Sequence, residues 1–210
     1  MYDVSDVLPV AALRPGTNLL VTGPPMTGKY DLCCALLRDG HGHGDSGLFL
    51  TTQHVDDDVR SDVDRPADTP PLAVVDCVSR ERGRDVTDDH TTRYVSSPGD
   101  FTAAGMSSSR LLDIFDQRDV RTRVVVDSIS TLLGQADVKT VFRFLHILSG
   151  RISAADGVGF ATLDATQHDG QTNNTVRQLF DGLVETRNGE AGRELRVVGL
   201  GDGPTDWERF

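Results

Sequence analysis

The chain has 210 residues, a net charge of −11 and a sequence pI of about 4.8. That length accommodates one α/β domain over residues 1–210 with a substantial core. The acidity weakens attraction to nucleic-acid phosphates, so nucleic acid is an unlikely partner. No apolar stretch approaches the roughly 18–20 residues of a membrane span, and no basic-then-apolar leader opens the chain, so the expectation is a soluble, cytoplasmic protein with no membrane partner.

In chain order, Met1 to Arg14 reads as a short amphipathic helix with Val4, Val7 and Leu8 on one face, followed by a turn at Leu13–Gly16. An apolar strand is expected at 18–22. It runs into Gly23-Pro24-Pro25-Met26-Thr27-Gly28-Lys29-Tyr30, and a helix then spans about 28–38 and stops at Gly40. Strand, glycine-rich loop and helix together are the setting of a phosphate-binding loop. Glycines let the backbone N–H groups curl toward phosphate oxygens, the helix adds its positive end, and a lysine supplies a mobile charge. The pattern G-x-x-x-x-G-K-[ST] is met at Gly23, Gly28 and Lys29 and fails at Tyr30. An ordinary strand–turn–helix corner is the plainer alternative. Lys29 and Lys139 are the only lysines, so a chain that prefers arginine keeps a lysine in this loop.

Cys33, Cys34 and Cys77 show no metal spacing and read as small apolar residues in a reducing compartment. The segment around His41 and His43 reads as a solvated glycine-rich loop, a metal site being the sharper alternative. Strands are expected at 47–52 and 72–76, with a short helix opening at Asp56-Asp57-Asp58, where carboxylates suit the positive end of the dipole. Magnesium binding by these three acids is the less favoured reading. Pro66 to Pro71 reads as a linker. Arg80, Arg82 and Arg84 lie among acids and read as a charge-balanced surface loop rather than a nucleic-acid contact. A brief extended segment at 93–96 precedes a helix from Asp100 to about Arg118.

The second landmark is Val124-Val125-Val126-Asp127-Ser128. Its β-branched run marks a strand covered on both faces. A carboxylate at the C-terminal end of such a strand can hold the magnesium shell of a nucleotide, and a helix cap is the structural alternative. A helix at 137–155 with Val138, Val141, Phe142, Leu145 and Leu148 inward, a strand at 158–163, a polar loop at 167–174, a helix to Phe180, and a hairpin of 183–187 with 194–200 turning at Asn188-Gly189 complete the chain.

Leu13 through Lys29 resembles the opening of KaiC/RecA-type P-loop ATPases. Val124 through Leu133 is similar to their second nucleotide motif, and Asp181–Thr186 with Arg193–Val198 to their terminal strands. The resemblance implies a mainly parallel twisted sheet with helices on both faces and a C-terminal antiparallel hairpin, with ATP and Mg at the strand C-termini and frequent ring assembly. The excess of aspartate and arginine is similar to haloarchaeal proteins. Three departures stand out. Tyr30 replaces the hydroxyl that normally ligates magnesium. Gln53 and His54 stand where the family places its water-activating glutamate; an amide is a poor base, an imidazole a possible one. Gly199 and Gly201 align with a basic pair on the last strand, a loss for which Arg187 or Arg193 facing the phosphates would compensate.

The expectation is therefore an ATP-binding regulatory protein with weak or absent hydrolysis, working through self-assembly or a protein partner. An active ATPase of recombination, repair or signalling, and a scaffold that binds no nucleotide, are the alternatives.

Overall fold

The computed structural model describes residues 1–65 and 69–210. Proline-66, where the expected linker begins, lies outside the described residues. The elements are β1 (Tyr2–Asp3), β2 (Ala12–Leu13), β3 (Asn18–Gly23), α1 (Lys29–Gly42), β4 (Ser46–Thr51), α2 (Asp56–Val63), β5 (Leu72–Asp76), β6 (Thr92–Tyr94), α3 (Phe101–Asp116), β7 (Thr122–Asp127), α4 (Ile129–Gln135), α5 (Val138–Ala154), β8 (Val158–Asp164), α6 (Gly170–Arg177), β9 (Gly182–Gly189), β10 (Gly192–Val198) and β11 (Glu208–Arg209).

The main sheet has the order β11-β10-β9-β3-β8-β7-β4-β5-β6. From β6 through β9 every neighbouring pair is parallel, and β10 and β11 join antiparallel. The central strands are short runs of Leu and Val buried on both sides, because each face of the sheet is covered by helices. Alternation sends Leu19, Val21, Phe49, Val74, Val125 and Phe160 to the face packed by α1 and α2. Leu20, Leu48, Val75, Val124, Val126 and Ala161 go to the opposite face, under α3, α4, α5 and α6. The fold is thus the expected layered α/β arrangement with its C-terminal antiparallel hairpin. Cys33, Cys34 and Cys77 are free and buried. No helix among the described residues is long and apolar enough to cross a membrane.

Several local expectations are corrected. The first 14 residues form the β1–β2 hairpin, not a helix. Val4, Val7 and Leu8 have helical spacing because a single turn is present, with Leu8 N–H donating to the Val4 carbonyl at 2.8 Å. Pro9 has no N–H and stops it there. Helix α1 does not stop at Gly40 but runs to Gly42. Gly40 is a packing glycine: a Cβ there would lie 2.5 Å from Nε of Arg123. His41 is consequently in the last turn of α1 and buried, not solvated. Of the three acids opening α2, Asp56 is buried and accepts from the Tyr94 hydroxyl at 3.0 Å, so the helix start is only partly solvated. Phe144 takes the core position expected for Phe142. Most of 167–174 is helical, because Asp169 caps α6 by accepting from Thr172 N–H. The C-terminal hairpin turns at Glu190-Ala191; Asn188 and Gly189 are still paired, with Arg193 and Gly192.

Arg123 is the unexpected core residue. It is fully buried within β7. Its guanidinium donates to Asp45 at 2.9 Å, Asp39 at 2.7 Å, and the backbone carbonyls of Leu36 at 2.9 Å and Asp3 at 2.7 Å. It ties together β7, α1, the α1–β4 loop and the N-terminal hairpin, at the end of the sheet away from the C-terminal strand edge.

Candidate functional site

Strands β3, β8, β7 and β4 lie side by side, and their C-terminal ends meet the loop 23–29 and the segment 52–54. Parallel strands bring all these ends to one edge, where open α/β sheets form their crevices. Gly23 at the end of β3 pairs with Asp164 at the end of β8. It must be glycine because a Cβ would fall 2.3 Å from the Thr186 carbonyl of β9. Gly28 caps α1 with φ of 81°, a left-handed conformation open to glycine at little cost. Thr27 clasps the loop, its hydroxyl 2.8 Å from the Pro24 carbonyl and 2.7 Å from the Thr186 hydroxyl. Pro25 and Met26 form the outer rim, with Met26 88 % exposed.

Lys29 is folded into this loop. Its Nζ lies 2.5 Å from Asp164 Oδ1 and donates to the Pro24 carbonyl at 2.6 Å. Asp127 lies one strand further along and is 3 % exposed. Its Oδ1 accepts from the Thr162 hydroxyl at 2.5 Å. Its Oδ2 is buried with no hydrogen-bond partner among the described residues. Burial holds its carboxyl above the usual range, opposed by the Thr162 hydrogen bond and by the positive groups nearby. Asp76, at the end of β5, makes the contrast. Its two oxygens accept from the backbone of Asp56, Val78 and Ser79 and from the Ser79 hydroxyl. A strand-end aspartate used for structure is saturated; Asp127 is half used.

The sequence-derived candidates beyond the loop divide. His54 Nε2 stands 4.0 Å from Asp127 Oδ2. Its ring stacks on Tyr30, with centroids 4.0 Å apart and planes at 24°. The Tyr30 hydroxyl points away and donates to Asp62 of α2 at 2.8 Å. Burial, with Cys34 and Asp62 adding to it, pushes that phenol's pKa up, so it stays a neutral donor. Gln53 lines the cleft, but its amide is occupied, donating to the Thr131 hydroxyl at 2.9 Å. Ser128 serves as the α4 cap, accepting from Thr131 N–H, so the capping alternative for this segment holds alongside the cleft position of Asp127. Arg193 reaches over the loop from β10: a Cβ on Gly28 would lie 2.8 Å from its Cδ, and its guanidinium pairs with Asp31. Arg187 is elsewhere, bonded to Glu194 and stacked over Trp207 at 3.9 Å. Gly199 and Gly201 follow β10 and do not line the cleft. Arg80, Arg82 and Arg84 are engaged with Asp88, the Gln53 carbonyl and Asp57.

The residues missed by sequence reasoning are Asp164, Thr162 and Asp31. The strand-end rule that singles out Asp127 points equally to Asp164; the other two carry no local signal. The cleft encloses about 370 Å³ and is lined on one side by the loop and on the other by Asp127, Asp164 and His54. That volume is within the usual range for a small-molecule site. A larger hollow of about 810 Å³, between the N-terminal hairpin and β11, shares Asp31 and Arg193 with it but lacks the converging carboxylates and lysine.

Comparison with known proteins gives a family and a fold. No curated protein matches. The structure is similar to that of an uncharacterized protein, PH0321 from Pyrococcus horikoshii, solved in complex with an unknown peptide: TM-score 0.68, 12 % identity, 94 % of each chain covered. It is also similar to the KaiC-like protein PH0186 from Pyrococcus horikoshii OT3, at TM-score 0.64 and 14 % identity, over 99 % of this chain and 90 % of that one. With this sheet order and these helix layers, the fold is α/β and RecA-like. The chain belongs to DUF7504, a family of unknown function, whose model matches residues 16–186.

Proposed function

From a RecA-like fold in a family whose function is open, we propose that residues 1–210 form one domain that binds ATP with Mg²⁺ at the loop Gly23–Tyr30. We infer a regulatory role with slow or absent hydrolysis. The observation that carries the reading is the pairing of an intact glycine–lysine loop with a buried, half-used Asp127 on the facing strand. The orphan Oδ2 fits a magnesium shell reached through water, and bound Mg²⁺ would supply positive charge against the phosphate oxygens. Lys29 already sits between the loop carbonyls and Asp164, so a small movement of its flexible stem would exchange Asp164 for a phosphate. Arg193 would make a similar exchange, leaving Asp31 for a phosphate oxygen.

Slow turnover follows from what the facing side chains can do. Gln53 is held by Thr131 and its carboxamide is too weak a base to take a proton from water. Tyr30 has turned its oxygen toward α2, leaving the magnesium shell without the usual hydroxyl. Absence of a preorganised charge stabiliser costs on the order of a hundred-fold in rate. One observation favours the alternative of an active ATPase: His54 is held by its stack on Tyr30 with Nε2 4.0 Å from Asp127 Oδ2, too far for a hydrogen bond but close enough for the imidazole to reach a water in the cleft. Equilibrium titration with a fluorescent ATP analogue, with Lys29→Ala beside the parent, tests binding. Equal affinity of the two proteins would leave the scaffold reading. Phosphate release on the same samples separates the other two: turnover near one per second that is lost in His54→Ala would establish the active enzyme (about a median rate for enzymes is ten per second).

The excess of exposed aspartate supports a cytoplasm of high salt as the setting. The unknown peptide bound by PH0321 makes a protein partner a natural expectation for this fold, beside self-assembly.

A further inference from the structure

Helices α3 and α5 lie side by side, with Phe101 meeting Phe144 edge-on at 5.4 Å. A groove of about 540 Å³ runs between them and shares no residue with the loop cleft. Its walls include two large apolar side chains turned to solvent, Met106 at 69 % and Ile147 at 58 % exposure. Arg110 and Arg143 stand on its rim, both exposed and without an ion-pair partner among the described residues. The groove's single acid, Asp113, is neutralised by Arg151 at 2.9 Å. Across its 17 residues α5 carries Lys139, Arg143 and Arg151 and no Asp or Glu. In a chain with 32 acids against 21 Lys and Arg, this is a local reversal of sign.

An apolar floor with a basic rim specifies its occupant. Exposed Met and Ile lose apolar hydration when covered, while the two arginines select carboxylates and repel cations. A second copy docking this face on the same face would oppose Arg110 and Arg143 to themselves, since a two-fold contact is self-complementary. A nucleic-acid backbone would leave the apolar floor uncovered on a chain of net charge −11. We propose that the α3–α5 groove docks an acidic, amphipathic segment of a partner protein. Its apolar side chains lie along Phe101, Met106, Phe144 and Ile147, and its carboxylates meet Arg110 and Arg143. α3 lines the groove from Phe101 to Asp113, about 20 Å at ~1.5 Å per residue, so a partner segment of roughly 13 residues fills the groove if it is helical.

The test uses two fluorescein-labelled synthetic peptides, about 15 residues long. Both have leucine at helical i, i+3, i+4, i+7 spacing; the remaining positions are mainly Glu in one and mainly Lys in the other. Anisotropy is measured at low salt against the full chain and against Arg110→Glu/Arg143→Glu. Both sites are exposed, and circular dichroism verifies that the variant is folded. The Glu peptide is expected to bind the parent at least about tenfold tighter than the variant, a difference of about 1.4 kcal/mol, and the Lys peptide to show the reverse order. Ile147→Ser is expected to weaken the Glu peptide severalfold with charge unchanged. Failure of the Glu peptide to bind the parent, equal binding to parent and variant, or insensitivity to Ile147→Ser overturns the proposal. So does sedimentation showing a dimer of the parent that the double variant loses, because the occupant is then a second copy.

Discussion

β7 buries charge at both of its ends, and the two ends are built differently. At one end Arg123 has four hydrogen bonds to two carboxylates and two backbone carbonyls, with Arg121 2.7 Å from the other oxygen of Asp45. At the other end Asp127 has one hydrogen bond, from Thr162, and one oxygen with none. Both lie on the same face of the strand, four residues apart, over the same helix. At the first end every buried charge faces an opposite charge within 2.9 Å: Arg123 meets Asp39 and Asp45, and Asp45 Oδ1, which has no hydrogen bond of good geometry, still lies beside Arg121. A buried ion left half-satisfied costs stability and requires another explanation, and the lysine, glycines and second carboxylate around Asp127 supply one.

The largest expected effect is at the closed end. Arg123→Leu leaves buried Asp45 with Arg121 alone and half-buried Asp39 without its arginine, which costs about 3–5 kcal/mol. At about 2–4 °C per kcal/mol for a chain of this size, thermal unfolding should drop by roughly 6–20 °C. Adding Asp45→Asn should recover part of the loss, because it removes one of the stranded charges. A melting temperature unchanged by Arg123→Leu would erase the distinction between the two ends.

At the open end the effects are on ligand, and smaller. Arg193→Gln should weaken the ATP analogue about tenfold, the equivalent of one charge-assisted hydrogen bond of about 1.5 kcal/mol. Asp31→Asn, which frees Arg193 from its present partner, should tighten it. If Arg193→Gln tightens binding instead, the arginine is an obstruction over Gly28 and not a phosphate ligand. Tyr30→Thr restores a hydroxyl at the head of α1, and a gain of about 1 kcal/mol corresponds to about fivefold tighter binding. That gain should appear with Mg²⁺ and vanish with EDTA; equal gains under both conditions would assign it to loss of the Tyr30–His54 stack.

The open end was readable in the sequence and the closed end was not. Gly23, Gly28 and Lys29 lie within seven residues of one another, so the pattern is legible along the chain, although Thr186 and Asp164 from other strands hold the loop in place. Asp127 follows from a strand-end rule that needs only the strand. Arg123 immediately precedes the run read as a β-branched strand, and its partners are 78 and 84 residues away. The pattern that marks the strand carries no information on where its one charge is neutralised. Gly40 shows the same limit: locally it is a helix stop, and the guanidinium that needs its missing Cβ comes from β7. The Asn188-Gly189 signal fails for a related reason. Pairing of Gly189 with Gly192 across the strands moves the turn outward, a choice made by the sheet and not by the dipeptide. His54 was found by position alone; its contact with Tyr30 depends on the fold.

The difference between the two ends is tested most directly by one melting experiment on the parent and Asp127→Asn, each with and without MgATP. Asp127 has its carboxyl held above the ordinary range, so its ionised form opposes folding at pH values above that range, and acid relieves the penalty. Without nucleotide, Asp127→Asn should therefore melt about 2–4 °C higher than the parent at neutral pH, a gain of about 1 kcal/mol that shrinks as pH falls. With MgATP at a hundred times its Kd, the parent should gain about 2.7 kcal/mol and overtake the variant, whose gain is smaller. A variant that melts lower without nucleotide, or a parent that MgATP leaves unmoved, would contradict the account.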